Sequence, residues 1–143
     1  MEKILLIEDD GVLTRDLIEE LETQGYEVVS AYSYVSAIGL WEKYKGQFDC
    51  IILDLNINPN GLDVYNVNRY FPIQGILILN EICKEKNDEE AKKIWSKTIV
   101  YSGYIDILRG KGSEFLYYDS LKLISKRGTS ISKLLQKVNE IFK

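Results

Sequence analysis

The chain has 143 residues, 45% of them hydrophobic and 28% charged, with a formal net charge of −4. This is the composition of one globular domain, not of a disordered chain. No histidine is present, which excludes His-based triads and most nitrogen-ligated zinc sites, and the acidic balance is not that of a nucleic-acid binder.

Lys3–Ile7 is a continuous apolar run that ends in Glu8, Asp9 and Asp10, the pattern of a buried parallel strand with acids at its carboxyl end. Leu13, Leu17, Ile18 and Leu21 recur at helical spacing up to the stop signal Gly25. Residues 27–32 predict a second strand. Ser33 predicts the cap of a helix carrying Val35, Ile38, Leu40 and Trp41. Residues 49–55 predict a third strand with Asp54 near its end. Residues 56–74, rich in Asn and holding both prolines, predict an irregular segment.

A helix is expected over residues 75–86, and a short further turn over residues 88–94 with a solvated acidic start. Thr98–Ser102 predicts a fourth strand. Residues 105–118 form a weak, Gly-interrupted helical pattern, and residues 121–125 a fifth strand. Residues 130–142 are an amphipathic helix with Ile131, Leu134, Leu135, Val138 and Phe142 on one side. Alternation of strands and helices predicts an α/β domain with a parallel sheet covered on both faces. Cys50 and Cys83 make no metal-ligand spacing, so buried or half-buried thiols are expected. Packing and interface use are expected for the ten tyrosines. The short residues 1–7 are no signal peptide and no run is long enough to span a membrane, so a cytoplasmic protein is expected.

In such sheets ligands sit beyond the carboxyl ends of the strands. Glu8, Asp9, Asp54, Ser102 and Lys126 all fall at strand ends. Clustered carboxylates repel unless protons or a cation neutralise them. All-oxygen donors suit Mg2+ or Mn2+, which also bind phosphoryl oxygens. A nearby lysine and hydroxyl would complete a site where one carboxylate takes a phosphoryl group with metal help.

The ordered set Ile4-Leu5-Leu6-Ile7-Glu8-Asp9-Asp10, Ile51-Ile52-Leu53-Asp54-Leu55, Ile99-Val100-Tyr101-Ser102-Gly103 and Leu123-Ile124-Ser125-Lys126 resembles the receiver domain of two-component response regulators over almost the whole chain. The resemblance implies one flavodoxin-like, doubly wound domain over residues 1–143 with strand order 2-1-3-4-5. It implies that Asp54 is the phosphoacceptor, and that Glu8, Asp9, Asp54 and the main-chain carbonyl of Asn56 hold Mg2+ or Mn2+. Ser102 takes the place of the switch hydroxyl, and Lys126 that of the lysine which pairs with the phosphoryl oxygens. The implied partners are a sensor histidine kinase or phosphotransfer protein, and a downstream protein or second copy bound through the last helices and fifth strand, with no nucleic acid and no membrane. The implied role is a switch, not a turnover enzyme beyond its own phosphotransfer and dephosphorylation.

Four departures stand out. The interval from Asp54 to Ser102 exceeds the roughly 30 residues of a strand–helix–strand unit, with the excess expected as an extended loop at about 58–74. Arg127 stands where the family usually has proline. Leu123 stands where the fifth strand often has a toggling aromatic, so any aromatic role is expected to pass to Tyr101, Tyr104 or Tyr118. No output domain is expected after the last helix, and for a chain of this extent output is expected through protein contacts. A non-phosphorylated pseudo-receiver acting as a protein-binding module is the alternative. A phosphohydrolase of the haloacid-dehalogenase type is disfavoured because Asn56, not Asp, lies two positions after Asp54. A flavodoxin is disfavoured because no phosphate loop follows the first strand.

Overall fold

The computed structural model describes residues 1–128 and 130–142; Thr129 and Lys143, inside the expected domain, lie outside the described residues. Strands β1 (Lys3–Ile7), β2 (Glu27–Ala31), β3 (Cys50–Leu53), β4 (Thr98–Ser102) and β5 (Lys122–Ser125) form one sheet in the order β2-β1-β3-β4-β5. Every neighbouring pair is parallel, as expected. The central strands are apolar at successive positions because both of their faces are covered. Leu5, Ile7, Ile51, Leu53 and Val100 enter one core layer. Ile4, Leu6, Cys50, Ile52 and Ile99 enter the other, following the two-residue period of a strand.

Helices α1 (Gly11–Thr23) and α7 (Ile131–Ile141) cover the second layer through Leu17, Leu21, Leu134 and Val138. The first layer is covered by α2 (Tyr34–Lys43), α4 (Ile76–Cys83), α5 (Asp88–Ser96) and α6 (Ile105–Gly110), through Ala37, Trp41, Ile76, Leu79, Trp95 and Leu108. Ser33 caps α2 in a reciprocal bond with Ser36, and Asn87 caps α5. Among the described residues no helix is long and apolar enough to cross a membrane.

The structure departs from the sequence reading in three places. Residues 56–74, expected to be irregular, contain α3 (Val64–Tyr70), whose first turn is capped by Asp63 accepting from Asn66 N–H at 2.9 Å. This helix buries no residue, and its few apolar positions, Val64, Val67 and Tyr70, stand among Asn and Arg between the two prolines, so the signals of irregular backbone outweigh the helical spacing. Secondly, the expected short turn at residues 88–94 is the full helix α5. Thirdly, the expected helix over residues 105–118 ends at Gly110, and two 3-10 turns follow at Gly112–Glu114 and Tyr118–Ser120. Gly112 is held there by contact: a Cβ on it would lie 2.8 Å from the Tyr118 ring.

The crossover from β3 to β4 therefore carries three helices, which accounts for the long interval between Asp54 and Ser102. The α3 segment leaves and rejoins the fold at one point, where Gly75 N–H donates to the Leu55 carbonyl at 2.6 Å. Its outward limb is pinned to the start of α2, with Tyr34 N–H donating to Asn58 and Val35 N–H to Asn60, both at 2.9 Å. Its far end meets the turn after α6, where Arg69 pairs with Glu114 at 3.6 Å and the Tyr70 and Phe115 rings lie 6.1 Å apart.

Candidate functional site

Glu8 N–H donates to the Ala31 carbonyl at 3.0 Å and Asp54 N–H to the Ile7 carbonyl at 2.9 Å. The sheet bonding thus runs one residue past β1 and β3 and fixes both acids at the carboxyl edge. Asp10 does different work from its two neighbours: its Oδ1 accepts from Val12 and Leu13 N–H at 3.0 and 3.1 Å and caps α1. Of the three consecutive acids, Glu8 and Asp9 are left for the edge. There one oxygen each of Glu8, Asp9 and Asp54 lies within 4.8 Å of the others.

Glu8 and Asp54 are only 4% and 8% exposed, whereas Asp9 is exposed. Lys126, just past β5, places its Nζ 2.5 Å from Glu8 Oε1 and 3.2 Å from Asp54 Oδ2. Burial and the nearby charge of Asp54 push the Glu8 carboxyl up to about 7, against the pull of Lys126. The Asp9 carboxyl is raised by burial and by Asp54, offset in part by the N–H groups of Asp9 itself and of Asn58. Burial works to lower the Lys126 ammonium, but its bond to Glu8 and the charges of Asp54 and Glu8 prevail and raise it. One ammonium does not balance three carboxylates, and the remaining charge is of the kind that a hard cation with oxygen ligands relieves.

The neighbouring strand ends complete the edge. Leu53 pairs with Val100, so Ser102 stands beyond Asp54 in the same direction. It is buried, and its Oγ accepts from Tyr104 N–H at 3.2 Å. Lys126 N–H donates to the Ser102 carbonyl at 3.0 Å, which ties the fourth and fifth strand ends together. Among the described residues nothing donates to the Asn56 carbonyl. All the sequence-predicted site residues thus lie at or next to the carboxyl edge, and their donor set fits an oxygen-liganded divalent ion.

Of the three tyrosines, Tyr101 is buried in the layer under α1 and α7, with Lys126 Nζ 5.6 Å from its ring centroid. Tyr104 and Tyr118 pack with Leu123 against the opposite layer. Cys50 is buried and Cys83 half-buried, and burial pushes the Cys50 thiol up to about 12, so it has no nucleophilic character at neutral pH. Sequence reasoning missed Gln74 and Gly75, which pack against the segment following Asp54. Gln74 Nε2 donates to Asn56 Oδ1 and to the Ile57 carbonyl at 2.9 and 2.8 Å. A Cβ on Gly75 would lie 2.4 Å from the Asp54 carbonyl oxygen. Neither residue belongs to a motif, so nothing in the pattern singled it out.

No protein-family model matches the chain, and no curated protein does. Solved structures do match. A response regulator receiver domain protein from Clostridium thermocellum is 20% identical over 99% of this chain and 94% of its own, with a TM-score of 0.68. The response regulator protein TrrA from Thermotoga maritima, in complex with Mg2+–BeF, is 24% identical over 99% of both chains, with a TM-score of 0.66. The complex of histidine kinase ThkA with TrrA matches at 23% identity over 100% of both chains, with a TM-score of 0.65. With its strand order, its helices on both faces and these neighbours, the chain has the fold of a response regulator receiver domain.

Proposed function

We propose that the chain is a phosphorylation-dependent switch of a two-component system, in which Asp54 accepts a phosphoryl group from the phosphohistidine of a sensor kinase or phosphotransfer protein. The observation that carries this reading is the meeting of Asp54 with Glu8, Asp9 and Lys126 at the carboxyl edge of a sheet with this topology. The TrrA neighbours, one in complex with Mg2+–BeF and one with a histidine kinase, support it.

Glu8, Asp9, Asp54 and the Asn56 carbonyl would hold Mg2+, or Mn2+ in its place. When bound, that ion neutralises charge on the phosphoryl oxygens. An Asp54 carboxylate oxygen attacks phosphorus, the phosphorus–nitrogen bond breaks, and the electron pair leaves with the imidazole. Lys126 supplies a point charge to the transferred group, and the Ser102 hydroxyl donates a hydrogen bond to it. Water later cleaves the acyl phosphate and restores the carboxylate, so the chain is a phosphoacceptor and not an enzyme with an external product. Signal output passes to a downstream protein or a second copy through α6, β5 and α7, within a cytoplasmic setting.

Intact mass after treatment with acetyl phosphate and Mg2+ tests the reading. The chain should gain one phosphoryl group and Asp54→Asn should gain none. Equal gain by Asp54→Asn would overturn the assignment. No gain from either acetyl phosphate or a competent kinase would favour a pseudo-receiver that binds protein without phosphorylation.

A further inference from the structure

Gln74 is 2% exposed, and its amide is used on one side only. Nε2 donates to the Asn56 side chain and the Ile57 carbonyl, while Oε1 is buried without a partner among the described residues. A buried acceptor left unpaired is costly, and a methionine would fill the same volume with no such atom. What the glutamine offers in exchange is its pair of N–H bonds to the two residues that follow Leu55. The next residue, Gly75, adds the backbone bond to Leu55 and leaves no room for a side chain against the Asp54 carbonyl. Together these contacts bind the chain from Asp54 to Ile57 against the returning limb of the α3 segment. Asn56 is thereby held by its side chain from one direction, while its main-chain carbonyl accepts nothing among the described residues.

We propose that Gln74 is a positioning residue for the metal-facing carbonyl of Asn56, through which the α3 segment sets the affinity of the acidic edge for Mg2+. The proposal rests on the reading of Asn56 as a metal ligand given above. Groups that orient a ligand without touching the ion commonly change metal affinity about ten- to a hundredfold.

The test is Mg2+ titration of the full chain followed by NMR, alongside thermal denaturation and amide exchange without metal. Gln74→Met should weaken Mg2+ binding about tenfold in a chain that is still folded at the titration temperature, and should speed exchange of the Gly75 N–H. Asn56→Ala keeps the main-chain carbonyl and removes the side-chain partner of Gln74 while its bond to the Ile57 carbonyl stays, so it covers the case in which Gln74→Met does not fold. It should also weaken Mg2+ binding, and the double variant should lose less than the two single losses combined. Wild-type affinity in folded Gln74→Met, or in Asn56→Ala if Gln74→Met is unfolded, would overturn the proposal while leaving the phosphoacceptor reading intact. Absence of Mg2+ binding by the wild-type chain, or binding that Asp9→Ala does not alter, would overturn both.

Discussion

The Lys126 ammonium lies closer to Glu8 than to Asp54, at 2.5 Å against 3.2 Å. Glu8 is thus the nearer partner of this ammonium. Phosphorylation would replace the single charge of the Asp54 carboxylate by the roughly two of an acyl phosphate, and the balance between the two partners would move toward the new oxygens. Such a shift is limited by the difference in contacts between the two states.

The first prediction concerns pH. The Glu8 carboxyl sits at about 7 in the folded chain against an ordinary 4.5, so the folded chain keeps a proton that the unfolded chain releases. The associated stability is complete below pH 4.5 and is lost as pH rises through 7. Urea denaturation in metal-free buffer should therefore show a decline between pH 4.5 and 7 that Glu8→Gln lacks. At pH 8 the variant should gain about 3 kcal/mol relative to the parent. Parallel pH profiles for the two chains would refute this.

The second concerns the cation. A sparse site with retained waters should bind Mg2+ at roughly millimolar concentration. Ten millimolar Mg2+ should then stabilise the fold by about 1.4 kcal/mol, read as a rise in the thermal midpoint. Asp9→Ala should remove this gain, and a variant midpoint that still climbs with Mg2+ would count against the site.

The third concerns Gly75. Its backbone is ordinary helical, so the requirement for glycine comes from contact alone. The Cβ of Gly75→Ala would sit 2.4 Å from the Asp54 carbonyl oxygen and 2.8 Å from that of Leu55. Overpacking of this kind costs about 1–3 kcal/mol, and here the displaced backbone carries Asp54, the proposed phosphoacceptor. Loss of acetyl phosphate labelling should accompany the loss of stability. Labelling at the parental rate would show that the backbone absorbs the methyl without moving Asp54.

The fourth concerns the α3 segment, which the sequence reading expected as an extended loop at about 58–74. Val64, Tyr65 and Phe71 are exposed, and only Tyr70 packs against the main core layer. Ile57, Ile73 and Gln74 are buried and must be kept. Replacing residues 59–71 by a short Gly-rich linker should leave a folded chain, less stable by about 1–2 kcal/mol, with altered kinase preference or phosphoryl lifetime. Global unfolding would refute this.

The fifth concerns output. Beryllofluoride with Mg2+ should change amide exchange in α6, β5 and α7, and with it self-association or partner binding. Protection changes confined to residues 58–74 would rule out this route.

Much of this was visible in the residues because the signals were local. Ser33 capped α2, apolar runs made the central strands, and acids at strand ends marked the edge. The α3 helix was missed because its short run of apolar positions, Val64, Val67 and Tyr70, lies between two prolines and among several Asn residues, which are signals of irregular backbone. Gln74 and Gly75 were invisible for another reason. Their roles depend on meeting a backbone about twenty positions earlier in the chain, and no short window of sequence records such a meeting. Glu8 and Asp9 were singled out for the edge from the sequence, while the capping of α1 by Asp10 emerged only from the structure.

The adjacency of Leu55 and Gly75 has a consequence for how such a protein can diversify. A detour that departs and returns at one bonded point can be lengthened, shortened or exchanged at little entropic cost, with the strands on either side undisturbed. The fold therefore carries a graft point beside Asp54, where new surfaces can be tried while the acidic edge underneath stays the same.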